Sequence, residues 1–159
     1  MEQFKRPEIT PLDFPEIKTL TTHLPLFGRL AITRNSLVHL DIDDHYIHHL
    51  FPVLQPLNAQ KPNYFNDEGI GAHISVIYPE EKISFDLDDL HQTHYFEVRE
   101  LVKAEINQKI YFALLVKSDS LQQLRDKYNL PNLLNFKGYS IPFHITIGTK
   151  AISNHDNVN

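Results

Sequence analysis

Apolar and polar residues alternate with a period of two in some stretches of this chain and recur every three to four residues in others. "RLAITR" (29–34) and "LVHLDI" (37–42) alternate as strands do, with Asn35-Ser36 as the turn between them. "DDHYIHHLFPVLQPL" opens on aspartates suited to capping a helix, and Ile47, Leu50, Phe51 and Leu54 follow helical spacing. Pro52 and Pro56 predict that this helix ends early or is distorted. "AHISVIYP" is a strand closed by Pro79, and alternation over 83–87 and 94–101 predicts further strands with a polar loop between. "KIYFALLVK" (109–117) is the strongest buried strand. "SDSLQQLRDKYNL" is a helix, with Ser118 or Ser120 as cap and Leu121, Leu124 and Tyr128 on one face. "PNLLNFKGYSIP" reads as loop and "FHITIGT" as the last strand.

The order is strand, strand, helix, strand, then strands, helix, strand, which looks like two similar halves. It predicts an α+β domain with a largely antiparallel sheet. The expected layout is an N-terminal arm over 1–28 packed on the domain, with a short helix near 14–22. A single domain over 29–150 and a polar tail over 151–159 complete it.

Composition narrows the chemistry. At 159 residues, 42% hydrophobic and 22% charged, the chain can build one ordinary soluble core. It has no cysteine, which rules out disulfides, thiolate zinc sites and a cysteine nucleophile. The first residues lack the apolar core of a signal peptide, and "IYFALLV" is too short to cross a bilayer. The expectation is a cytoplasmic monomer without membrane contact. The net charge is −5, lysine and arginine are scattered, and "DIDD" and "DLDD" are acidic. This disfavours duplex nucleic acid, whose binding is dominated by phosphate neutralisation, and favours a small nucleotide or short RNA end.

Two stretches carry the candidate chemistry. In "GAHISVIYP" (71–79), Ala72, Ile74 and Val76 share one strand face, while His73 and Ser75 share the other. In "PFHITIGTK" (142–150), Phe143, Ile145 and Ile147 share one face, and His144 and Thr146 the other. One H-x-[ST] alone is a common pattern and reads as a satisfied half-buried histidine. Two in strands of matching polarity predict a joint site of two imidazoles and two hydroxyls. Such a set suits phosphate esters: one histidine removes a proton, the other supplies one, and the hydroxyls hydrogen-bond the non-bridging oxygens. This chemistry needs no metal or other cofactor.

"AHISVI" (72–77) and "FHITIG" (143–148) resemble the twin signatures of the 2H phosphoesterase superfamily, also called LigT-like, and most resemble its Swiss-army-knife branch. The resemblance spans roughly 29–150 in element order and motif spacing. It implies a two-lobed α+β fold with pseudo-two-fold symmetry and a central cleft. It also implies metal-independent cleavage of phosphodiesters such as 2′,3′-cyclic phosphates, 2′,5′-linkages or cyclic oligonucleotides. Carried over by position, His73 and His144 are the acid–base pair, and Ser75 and Thr146 bind phosphate. Ser75 stands where threonine is commoner. Which histidine is acid and which base stays open.

Other residues are candidates for substrate contact. His39 could line the same cleft or face solvent. Tyr78 has core parity, but at the strand end it could reach the rim. Tyr139 could stack on a base and Lys137 could attract phosphate. The loops "KPNYFNDEGIG" and "NFKGYS" are expected to choose the ligand. His91 and His94 are expected to be exposed. Two alternatives stand beside the enzyme. One is a module that sequesters a nucleotide without cleaving it. The other is a metallohydrolase on His45, His48 and His49, whose helical spacing could hold a transition metal although it is not H-E-x-x-H.

Overall fold

A computed structural model of the chain describes residues 5–62 and 69–152. The ligand-choosing loop expected over 61–71 and the tail therefore fall partly outside the described residues. The elements are β1 (Ile9–Pro11), α1 (Ile17–Thr21), β2 (Phe27–Ile32), β3 (Val38–Asp41), α2 (His45–Leu54), β4 (His73–Ile77) and β5 (Thr93–Tyr95). After them come β6 (Glu97–Ile106), β7 (Lys109–Lys117), α3 (Asp119–Lys127), β8 (Leu134–Phe136), β9 (Tyr139–Ile141) and β10 (His144–Ala151). No helix among the described residues is long and apolar enough to cross a membrane.

The class is α+β, and its main sheet is antiparallel throughout. The eight strands run β1-β6-β7-β10-β4-β3-β2-β5 in one continuous sheet, and β8-β9 form a separate hairpin. The two motif strands, β4 and β10, are therefore neighbours at its centre. Outward from them the order is β4-β3-β2 on one side and β10-β7-β6 on the other. Each side is a hairpin, then a helix, then the inner strand.

Besides β1, a strand within the stretch expected as an arm, three elements differ from the sequence expectation. Residues 83–86 are not a strand: Asp86 N–H donates to the Tyr128 hydroxyl, and the Asp86 carboxylate caps a 3₁₀ turn at Leu87–Asp89 by accepting from Asp88 N–H. The strand expected to end at 101 continues to Ile106 and turns through Asn107 and Gln108, both at positive φ. The stretch taken as loop after α3 holds the β8–β9 hairpin, whose turn residues Lys137 and Gly138 also have positive φ.

One sheet face carries the core. Ile74, Val76, Ile145, Ile147 and Leu114 are fully buried, as are Tyr46, Ile47, Leu50 and Leu54 of α2 and Leu121 of α3. Ser118 caps α3 by accepting from Leu121 N–H. The cap expected for α2 is different: Asp43 accepts from His45 N–H, while Asp44 reaches across to accept from Ala72 N–H just ahead of β4. The helix runs through Pro52 before a 3₁₀ turn at Gln55–Leu57.

Gly148 closes the second motif because α2 lies on it. A Cβ there would sit 3.0 Å from Leu54 Cδ1 and 3.2 Å from the Gln60 carbonyl oxygen, against the end of α2 and the Gln60 bridge to Thr149. Gly148→Ala is expected to cost about 1–3 kcal/mol by overpacking, read as a lower urea midpoint with an unchanged slope.

Candidate active site

The opposite face of the sheet carries the polar residues of both motifs. Strands β4 and β10 pair antiparallel with Ile145 opposite Ile74. Continuing that register one residue each way puts His73 across from Thr146 and Ser75 across from His144. The four side chains form a compact block on one face, and all four line a cavity of about 490 Å³. The parity read from each motif alone is what brings them together.

Both rings are held alike. His73 Nδ1–H donates to the Gly71 carbonyl at 2.9 Å, and His144 Nδ1–H donates to the Pro142 carbonyl at 2.9 Å. Each acceptor lies two residues before its histidine, where glycine or proline shapes the approach to the strand. A carbonyl can only accept, so Nδ1 carries the hydrogen and Nε2 is the proton-exchanging atom of each neutral ring.

Burial sets the electrostatics. Desolvation pulls the His73 pKa below the ordinary histidine value and repulsion from His144 adds to this, opposed by the Gly71 hydrogen bond. Desolvation also lowers His144, opposed by the Pro142 bond. The pair is therefore mainly neutral near pH 7, and a proton bound by one ring discourages protonation of the other.

His39 faces neither solvent nor the cavity. It lies opposite Ser75 on β3 and is 4% exposed. Its ring meets His73 edge-on with centroids 5.5 Å apart. Its Nδ1 has no hydrogen-bond partner among the described residues. Desolvation, with a smaller push from His73, lowers its pKa to about 4.

A buried neutral histidine makes the fold acid-sensitive. The unfolded chain takes up its proton near pH 6.5 and the folded one only near 4, so stability is full above 6.5 and falls across that window. For His39 the loss between pH 7.5 and pH 5 is about 2 kcal/mol, and His73 and His144 push the same way. Urea midpoints at the two pH values are expected to show this difference, and His39→Gln should shrink it.

The remaining candidates separate. Tyr78 lines the cavity. Tyr139 does not: it sits in the hairpin, bridged to Lys5 and paired with Phe136. Lys137 is exposed at the hairpin turn, with its backbone N–H on Glu80 and its Nζ over the Phe136 ring at 5.1 Å. His94 is buried with Nδ1 2.8 Å from the Ser120 hydroxyl, because β5 is drawn against α3. His91 is exposed at positive φ. Among the described residues no group of three or more His, Cys, Asp or Glu could hold a metal ion, the α2 histidines included.

Several lining residues escaped the sequence reading. Tyr111, Ala113 and Leu115 face the cavity from β7, while Phe112, Leu114 and Val116 face the core. The uniformly apolar run "KIYFALLVK" hides this two-sidedness. A bulge between Thr146 and Gly148 shifts the parity of β10, so Thr149 joins Thr146 on the cavity side. Phe136 reaches the cavity from β8, its ring 5.0 Å from Tyr78 and 5.9 Å from Tyr111.

Residues 38–155 match the family model described as Swiss Army Knife, 2H phosphoesterase domain. No curated protein and no solved structure matches the chain.

Proposed function

The chain belongs to the Swiss Army Knife 2H phosphoesterase family, and we propose on that footing that it is a metal-independent phosphodiesterase acting on a nucleotide or RNA-end phosphodiester by two-histidine acid–base catalysis. Family membership supports phosphoester chemistry in general. The finer reading is supported by one observation above all: two imidazoles and two hydroxyls, from adjacent central strands, line one cavity. His73 and His144 are the acid–base pair, and Ser75 and Thr146 are the phosphate-binding hydroxyls. One neutral ring takes the proton of the attacking hydroxyl or water at Nε2 as the new P–O bond forms. The other, protonated, gives its proton to the ester oxygen as the old P–O bond breaks. Ser75 and Thr146 donate to the non-bridging oxygens, where charge accumulates. The enzyme works as a cytoplasmic monomer on a small substrate, in keeping with the scattered basic residues of a chain of net charge −5.

The test is turnover of 2′,3′-cyclic nucleotides, 2′,5′-linked dinucleotides and cyclic dinucleotides in the presence of EDTA, followed against pH. Activity requires one proton shared by the pair. Both pKa values lie below the ordinary 6.5, so the state with one proton peaks on the acid side of that value. Within the range where the protein stays folded, kcat/KM is expected to fall as pH rises past 6.5, because the last proton leaves. A nucleotide bound and recovered intact, with no turnover of any member, would favour the sequestering module instead.

A further inference from the structure

Two adjacent aspartates at the start of α2 have different partners. Asp43 serves the helix: its Oδ1 accepts from His45 N–H at 2.8 Å and meets His45 Nδ1 at 2.7 Å. Asp44 is tied to α2 by its backbone carbonyl, which accepts from Ile47 N–H and His48 N–H. Tyr46, Ile47, Leu50 and Leu54 in turn anchor α2 in the core. The Asp44 side chain leaves the helix, and its Oδ1 accepts from Ala72 N–H at 2.9 Å, across 28 positions of sequence.

Ala72 N–H and the Gly71 carbonyl are the two ends of one planar trans amide. The carbonyl end accepts from His73 Nδ1–H at 2.9 Å, so a carboxylate, a peptide unit and an imidazole form one hydrogen-bonded chain. Such chains polarise along their length, and negative charge at the N–H end makes the carbonyl a stronger acceptor for Nδ1–H. Glycine permits the approach: Gly71 has a φ of +75°, and a Cβ there would lie 2.6 Å from Asp44 Oδ1. The Ala72 carbonyl is held too, accepting from Ile42 N–H at 3.3 Å. The second ring lacks this support. His144 Nδ1–H donates to the Pro142 carbonyl at 2.9 Å, and among the described residues no carboxylate takes the Phe143 N–H at the far end of that amide.

We propose that Asp44 is a positioning residue for His73, acting through the 71–72 peptide that it fixes and polarises. The carboxylate holds the ring with Nε2 free for proton exchange and favours its protonated form, against burial and the repulsion from His144. The other titratable groups around the ring are His39, edge-on from β3, Asp41, opposite it in register on the same strand, and His144 from β10. Lys61 lines the same cavity, with Nζ 3.5 Å from His48 Nδ1. Burial and repulsion from Asp44 raise the Asp41 pKa. Neutralising Asp44 therefore leaves Asp41 more readily ionised, a change that would raise the His73 pKa rather than lower it. The proposal rests on the phosphodiesterase reading above and deepens it by naming what holds one of the two rings.

The experiment compares wild type with Asp44→Asn, Asp44→Ala and Asp43→Asn. Imidazole NMR spectra read the tautomer and titration of His73 and His144 in the free protein, with His73→Gln and His144→Gln assigning the signals. Asparagine keeps an acceptor for Ala72 N–H without the charge. In Asp44→Asn the His73 ring should therefore keep its Nδ1–H tautomer and titrate at lower pH, while His144 does not move down with it. Asp44→Ala should also populate the Nε2–H tautomer of His73. It should lower kcat/KM on adenosine 2′,3′-cyclic phosphate by about tenfold or more, carried by kcat with KM little changed. Asp43→Asn removes an equal charge one residue away and should leave the His73 titration as in wild type. His73 tautomer and titration unchanged in Asp44→Ala, or moved as far by Asp43→Asn as by Asp44→Asn, would overturn the proposal. Undiminished kcat in Asp44→Ala beside an active wild type would overturn it as well. The spectra need no substrate. Should wild type turn over no phosphodiester, the phosphodiesterase reading falls, and the His73 tautomer and titration alone decide whether Asp44 holds that ring.

Discussion

His73→Ala and His144→Ala are each expected to lower kcat/KM on the best cyclic-phosphate substrate by roughly 10²–10⁴-fold. In the proposed mechanism each ring is an acid–base group, and its Nδ1 is committed to a carbonyl, so no neighbouring atom can take over proton exchange at Nε2. His39 is the nearest spare imidazole to His73, and it does not substitute, because with a pKa of about 4 it is a poor base buried away from the cavity. Both motif rings are largely neutral at pH 7, so glutamine is the better control for fold: His73→Gln and His144→Gln keep the volume and a polar tip without a titrating nitrogen. Circular dichroism and melting temperature should stay near wild type while activity is lost. An alanine variant retaining more than about a tenth of wild-type kcat/KM would remove that histidine from the mechanism.

The second large effect concerns stability. Arg125 is fully buried in α3, and all five of its N–H donors are used. They reach the carbonyls of Val76, Pro131 and Leu133 and both oxygens of Glu81, at 2.8–3.0 Å. Glu81 in turn accepts from Tyr78 N–H and Asn135 N–H. One ion pair thus ties the end of β4, the turn at Pro79–Glu81, α3 and the start of the β8–β9 hairpin that carries Phe136 to the cavity. Arg125→Met leaves the Glu81 carboxylate, 3% exposed, buried without its counter-charge. The expected cost is about 3–5 kcal/mol, or a melting point lower by roughly 10 °C. Removing the stranded charge as well, in Arg125→Met/Glu81→Leu, should regain part of the loss. A melting point within about 2 °C of wild type for the single variant would contradict this role.

These two sites also mark what the sequence could and could not convey. The motif block was legible because strand parity is local: residues two apart share a face whatever the strand pairs with. Two matching strands with the same polar face then implied convergence, and β4 and β10 are neighbours in the sheet. The Arg125–Glu81 pair was not legible, because both residues look like ordinary surface charges in "QLRDKY" and "YPEEK". Only tertiary contact over 44 positions of sequence buries them. The β8–β9 hairpin was hidden for a different reason. Its strands are three residues long, too short for alternation to show, and the Lys137-Gly138 turn was the only local mark. Residues 83–87 erred the other way. Their alternation is real, but the hydrogen-bonding capacity at Asp86 goes to Tyr128 and to a 3₁₀ turn rather than to a partner strand. The cavity wall on β7 was masked because a strand buried on both faces has no polar side to betray which residues face a ligand.

The central claim is that two motifs on separate strands make one site and act in one step. The most direct measurement is kcat/KM for His73→Ala, His144→Ala and the double variant on the same cyclic-phosphate substrate. If both rings serve one proton-transfer event, removing the second after the first costs little, and the double variant should lie within about tenfold of the worse single. Losses that multiply fully in the double variant would mean that the two histidines act independently, and the joint site would be wrong.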